Sequence, residues 1–84
     1  MKIRPERVAG LMRREIAGIL AHELRDPRLS SLVSVTDVEV THDLSFARVY
    51  VSVLAPEAER EREIATLQRA AGFVRRQLAP RLGL

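Results

Sequence analysis

The sequence contains no cysteine and no tryptophan. Without thiols, neither a disulfide nor a thiolate metal site can hold a small fold together; the composition suits a reducing cytoplasm. Aromatic residues are scarce: Phe46, Tyr50 and Phe73 are the whole set. That argues against an aromatic base-stacking platform as the main binding device. No apolar run approaches membrane-spanning length, and the N-terminus has no apolar signal core. A soluble cytoplasmic protein with no membrane partner is expected. Neither a GxxxxGK[ST] nor a GxGxxG loop is present. Ser30, Ser31, Ser34, Ser45 and Ser52 lack a nucleophile-elbow context. His22 and His42 have no second ligand at a metal-binding spacing and are expected on the surface. Eighty-four residues are few for a closed, water-excluding active site. No enzyme, cofactor, metal or small-molecule substrate is expected.

What is present is charge, unevenly placed. Residues 1–28 carry seven basic and four acidic groups, whereas residues 29–56 carry one basic and three acidic. Residues 57–68 carry two basic and four acidic, and residues 69–84 carry four basic and none acidic. Both ends are positive and the middle is negative. If the ends meet in space they form a basic face on a mildly acidic body, the electrostatic footprint of a nucleic-acid-binding protein.

The hydrophobic period places this charge on a single small domain with a modest core. In PERVAGLMRREIAGILAHEL, the positions Val8, Leu11, Met12, Ile16, Ile19, Leu20 and Leu24 recur at intervals of three and four, which predicts a helix. Pro5 suits its first turn, and Arg4, Arg7, Arg14 and Arg25 lie off the apolar stripe. Pro27 biases Asp26 away from helical geometry and ends the segment. From Val33 the period changes to two. Val33–Thr41 and Phe46–Leu54 read as a hairpin of β-branched strands. Ala47, Val49, Val51 and Val53 should pack under the helices, leaving Phe46, Arg48, Tyr50 and Ser52 on the other face. In the first strand Val33 and Val35 have one parity and Val38 and Val40 the other. Either a bulge near Thr36 or burial on both faces would explain this.

After Pro56 the chain returns to helix, with Glu57, Glu59, Glu61 and Glu63 near the N-terminal end favoured by the helix dipole. Ile64, Leu67, Ala71, Val74 and Leu78 form its stripe, and Pro80 and Gly83 end it. Gly72 interrupts it within RAAGFVRR, the most basic stretch. A break there, with a second helix starting at Phe73, would free backbone amides for a phosphate. Arg69, Arg75 and Arg76 would add charge-assisted contacts. The alternative is that Gly72 only lets the helix bend over the sheet.

Taken together, RVAGLMRREIAGIL, DPRL, VSVTDVEVTHDLSFARVYVSVL and RAAGFVRRQLAPRLGL resemble the ribosome-binding factor A family over nearly the whole chain. The most specific parts are Asp26-Pro27-Arg28, the stretch from Val35 to Asp43, Ala47 to Ser52, and Ala70-Ala71-Gly72 followed by Arg75. The resemblance implies an α+β fold of the type II KH-like kind, in the order helix, two strands, and two helices joined at a kink. It also implies an AxG kink, matched by Ala70-Ala71-Gly72, in place of the GxxG loop of other KH domains. In the family a third strand follows the last helix, whereas this sequence stops at Leu84. A two-stranded sheet with an open edge is therefore expected, as a monomer for which that edge offers a route to a dimer.

The implied function is assembly of the small (30S) ribosomal subunit: binding its 16S ribosomal RNA, aiding late rRNA processing and maturation, and supporting growth in the cold. The candidate RNA-binding residues are Arg69, Ala70, Gly72, Arg75 and Arg76 at the kink, with Arg4, Arg7 and Arg14 on the first helix and Arg48 on the outer strand face. The rival reading is a protein-interaction module that uses the open sheet edge and the amphipathic last helix. A DNA-binding helix-turn-helix fits less well, because a hairpin separates the helices where that motif has a tight turn.

Overall fold

In a computed structural model, which describes residues 4–24 and 33–83, the chain is α+β. The elements are α1 (Pro5–His22), β1 (Val33–Val40), β2 (Ala47–Val53), α2 (Glu57–Arg69) and α3 (Ala71–Leu82). The helix end expected at Pro27, with Arg25 and the Asp26-Pro27-Arg28 stretch, lies outside the described residues, as does Leu84.

Pro5 begins α1, where its missing N–H leaves no helical acceptor unsatisfied. Val8, Ile16 and Ile19 are buried along one side. Leu11, assigned to the same stripe from its spacing, is 44% exposed. The helix stops short of Leu24 because the amides of Glu23 and Leu24 both turn back to the Ile19 carbonyl, at 2.9 Å each.

The two strands pair antiparallel, with Val33 opposite Val53 and Val35 opposite Val51. The register then slips, so that Asp37 faces Tyr50 and Val38 faces Val49. Thr36 is the extra residue of a bulge, and its hydroxyl donates to the Tyr50 carbonyl at 3.3 Å. Inserting one residue inverts the alternation after it. Val33, Val35, Val38 and Val40 therefore share one face despite their opposite parities. Of the two explanations open from the sequence, the bulge is the one realised.

The matching face of β2 behaves differently from expectation. Val53 is buried and Val51 half-buried, but Ala47 is exposed and Val49 is 38% exposed. The reason is the placement of the helices. α1 packs across β1, whereas α2 touches β2 only sparsely, so the turn-proximal half of β2 extends past the helical layer.

The core is correspondingly small. Ile16, Ile19, Val38 and Leu78 form its buried cluster, with Met12, Leu20, Val35, Phe73, Val74 and Leu82 packed around it. Ile19 is wholly enclosed. α3 supplies Leu78 by packing directly on α1. The expected single stripe through α2 and α3 is not observed. Glu63 and Thr66 are the buried residues of α2, while Ile64 and Ala71 are exposed. That stripe assumed one helical phase across a junction that resets it. Pro80 also does not end α3, which continues to Leu82. In the last turn its missing N–H interrupts only the end of the hydrogen-bond ladder. Gly83, at φ 68°, ends the helix in the left-handed conformation that glycine adopts at little cost.

Asp43 organises the hairpin turn. Its carboxylate accepts from the Ser45 hydroxyl at 2.7 Å, the Thr41 hydroxyl at 2.7 Å and the Ser45 amide at 3.1 Å. These bonds, led by the Ser45 hydroxyl, lower its pKa from 3.8 to about 2. A depressed carboxylate stabilises the fold above its unfolded pKa and loses that effect as pH falls through the folded one. Comparing the melting temperature of the native sequence with that of Asp43→Asn should therefore show a gap that is full above about pH 5. The gap should close as pH falls toward 2, and a gap constant across the range would exclude the turn carboxylate as its source.

Candidate nucleic-acid interface

The junction between α2 and α3 is where the sequence places its densest candidate cluster. Ala70 forms the break, at φ −85° and ψ 0°. Its amide is shared between the Thr66 and Leu67 carbonyls, at 3.1 Å each. The first hydrogen bond of α3 runs from the Val74 amide to the Ala70 carbonyl at 3.0 Å. The amides of Ala71, Gly72 and Phe73 thus precede the first bond of α3's own ladder. No side chain caps this end, and no acidic residue lies in its first turn. Such an end carries partial positive charge and exposed donors, which suits an anion.

The arginines differ in how they attend it. The Arg69 guanidinium donates to the Thr66 hydroxyl at 3.2 Å and so lies back along α2. Thr66, itself buried, donates to the Arg62 carbonyl at 2.9 Å. The Arg76 guanidinium folds back over the first turn of α3, 3.5 Å from the position a Cβ would take on Gly72. Arg75 is exposed, and among the described residues no carboxylate pairs with it or with Arg76.

Two expectations about this junction are corrected. α3 begins at Ala71 and not at Phe73. Gly72 is not the break; it sits in the first helical turn, and among the described glycines only Gly83 has a positive φ. Local pattern pointed to the glycine because glycine weakens helices, but the helical ladder is interrupted earlier, at Ala70, whose backbone stays in the right-handed helical region. What Gly72 provides is space, a helix surface with no side chain under the Arg76 guanidinium.

The remaining candidates are dispersed. The two basic ends of the chain do meet, since α3 packs on α1. They meet through opposite charges, with Arg81 paired to Glu23 and, at 3.7 Å, to Glu15. Arg81 therefore does not contribute a free cation. Arg4 is the residue that precedes α1, and Arg7 is exposed along it. Arg14 lines an open groove of about 710 Å³ between α1 and β1, together with Arg13, Glu6, Gly10 and Asp37. Arg13 was not singled out from the sequence; its position one residue from Arg14 was the available signal. The two carboxylates offset the two arginines there.

Arg48 lies on the face of the sheet turned away from the helices. It stands opposite Glu39 in register, and the Tyr50 hydroxyl donates to that same Glu39 carboxylate. Its pKa is raised, first by hydrogen bonding to Tyr50 and further by the nearby Glu39 carboxylate. Among the described residues no cluster of histidine and carboxylate groups is arranged to hold a metal, and no helix is long and apolar enough to cross a membrane.

Comparison with known proteins bears on what this arrangement serves. The family model described as ribosome-binding factor A matches residues 4–84. Similar proteins include the ribosome-binding factor A of Acetivibrio thermocellus, 48% identical over 81 residues, which cover 96% of this chain and 66% of that protein. That of Desulforamulus reducens is 40% identical over 84 residues, covering 100% and 69%. That of Clostridium botulinum (strain Okra) is 40% identical over 83 residues, covering 99% and 69%. The chain thus spans about two thirds of the length of these relatives.

Because the Gly72 backbone is helical and a Cβ there meets only the flexible end of Arg76, Gly72→Ala is expected to stabilise the fold. The gain should be about 1 kcal/mol, the propensity difference within a helix. Thermal unfolding checks this, and a lowered melting temperature would contradict the assigned geometry of the junction.

Proposed function

Since this chain belongs to the ribosome-binding factor A family, we propose that it is a non-enzymatic assembly factor of the small ribosomal subunit. In this reading residues 1–84 work as one KH-like RNA-binding unit, monomeric and cytoplasmic. It binds 16S ribosomal RNA in the immature subunit and aids its late processing and maturation, including at low temperature. Arg69, Ala70, Gly72, Arg75 and Arg76 form the principal contact, with Arg4, Arg7 and Arg14 as flanking cations.

The observation that carries this reading is the uncapped start of α3. It combines a helix start with no side-chain cap, no first-turn acid and two arginines, within one helical turn of each other, that no described carboxylate pairs. A phosphodiester can accept from the amides while Arg76, folded over Gly72, and Arg75 neutralise its charge. Gly72 matters because a bare helix surface lets a backbone phosphate approach closely. None of these groups reads a base, so this site supplies affinity and position, and its strength depends on salt.

Co-sedimentation with purified small subunits, large subunits and mature ribosomes across a salt series tests the proposal. Binding confined to small subunits, weakening log-linearly with salt, is the expected result. Arg75→Ala with Arg76→Ala should lower affinity and reduce the salt slope by roughly 1 for each phosphate that is no longer neutralised. Equal binding to every particle would reduce the reading to general basic charge. An unchanged slope in the double variant would remove these two arginines from the RNA interface.

A further inference from the structure

Two of the three aromatic residues of this chain are on the same exposed face. Tyr50 and Arg48 project from the outer side of β2, and Phe46, one residue before the strand, continues the alternation. Phe46 is 75% exposed and Tyr50 is 38% exposed. The helices pack on the opposite side of the sheet, so no described element covers this row. Alternate residues on a strand lie about 6.8 Å apart, so the row presents ring, guanidinium and ring at even intervals.

The row is also held in place. Tyr50 is anchored through its hydroxyl to Glu39, which stands directly across from Arg48. Thr36 ties the bulge to the Tyr50 carbonyl. Phe46 is fixed at the turn by bonds between its amide and the Thr41 hydroxyl, at 3.2 Å, and between its carbonyl and the Thr41 amide, at 3.0 Å. The Glu39 charge is answered within the group, which leaves Arg48, with its five donors, as the only cation of either strand.

We propose that Phe46, Arg48 and Tyr50 form a second nucleic-acid contact, a platform on which unpaired bases of single-stranded RNA stack. Aromatic rings and a guanidinium plane accept any base by its π-face, and an ordered platform loses little entropy when a base arrives. The row of ring, guanidinium and ring selects RNA over an acidic protein segment, because only RNA offers base π-faces to stack on it. The choice of RNA over another polyanion with bases rests on the function proposed above. The platform is a separate site from the start of α3, on the other side of the sheet. The junction holds phosphates, and the platform engages the bases.

Tyr50 is the single tyrosine of a chain without tryptophan, so intrinsic emission reports on this face alone. The probe is a single-stranded hexa-adenylate RNA titrated into the full chain carrying Arg75→Ala and Arg76→Ala, which weakens the phosphate site. Quenching of tyrosine emission is expected, with weak salt dependence. Adding Phe46→Ala, a change at an exposed side chain, should weaken that binding roughly 5- to 150-fold. Unchanged tyrosine emission up to millimolar oligonucleotide would overturn the platform, as would equal quenching by polyphosphate, which has no bases. Quenching by an arginine-rich peptide in place of the oligonucleotide would assign the face to a protein partner and also overturn it. Failure here leaves the salt slope of subunit binding untouched, and failure of subunit binding leaves the tyrosine signal, so the two readings fall separately.

Discussion

One inserted residue governs how this chain closes. Without the bulge at Thr36, strict alternation would bring Val38 and Val40 to the outer face whenever Val33 and Val35 faced inward. Val38 is the residue of β1 in the buried cluster with Ile16, Ile19 and Leu78. The slip in register puts all four valines on one face, with Val35, Val38 and Val40 in the core. With α1 seated on β1, its other flank is available to α3. The orientation of α3, and with it the direction in which its uncapped start faces, follows from a single extra threonine in a strand.

A small core built this way has little redundancy. The sheet has two strands among the described residues, and the helical layer covers β1 more fully than β2. Polar devices compensate at the margins. Asp43 fixes the turn, Asp37 accepts from the Val38 amide at 2.8 Å beside the bulge, and Glu39 joins Tyr50 to the strand opposite. Each contributes little alone, but together they give the hairpin a defined shape where side-chain packing is thin.

Element order and strand pairing were legible in the sequence, because each follows from a local period or a turn residue. An interruption within RAAGFVRR was legible too, but it was placed at Gly72 and lies at Ala70. The interior positions of α1 were legible for the same reason, Leu11 excepted. What the period could not convey was phase across the break. With the ladder interrupted at Ala70, α2 and α3 face the core independently, and Glu63 and Thr66 take positions that the stripe gave to Ile64 and Leu67. Nor could charge counting show which arginines remain free. Arg81 and Arg76 are equivalent in sequence, yet one is bound to two glutamates at the α1 side and the other lies over a glycine. The paucity of aromatics argued against stacking as the main binding device, and a count does not show that Phe46 and Tyr50 share a face.

The pairing of Arg81 to Glu15 and Glu23 gives α3 a polarity along its axis. At one end the arginine is neutralised by its partners. At the other, Arg75 and Arg76 add to the backbone's own positive end. The potential along this 12-residue rod is thus graded, and it rises from Leu82 toward Ala71. A phosphate chain that first meets the rod anywhere along its length experiences a pull toward its beginning. The ion pair, distant from the junction, therefore adds to the gradient along the helix.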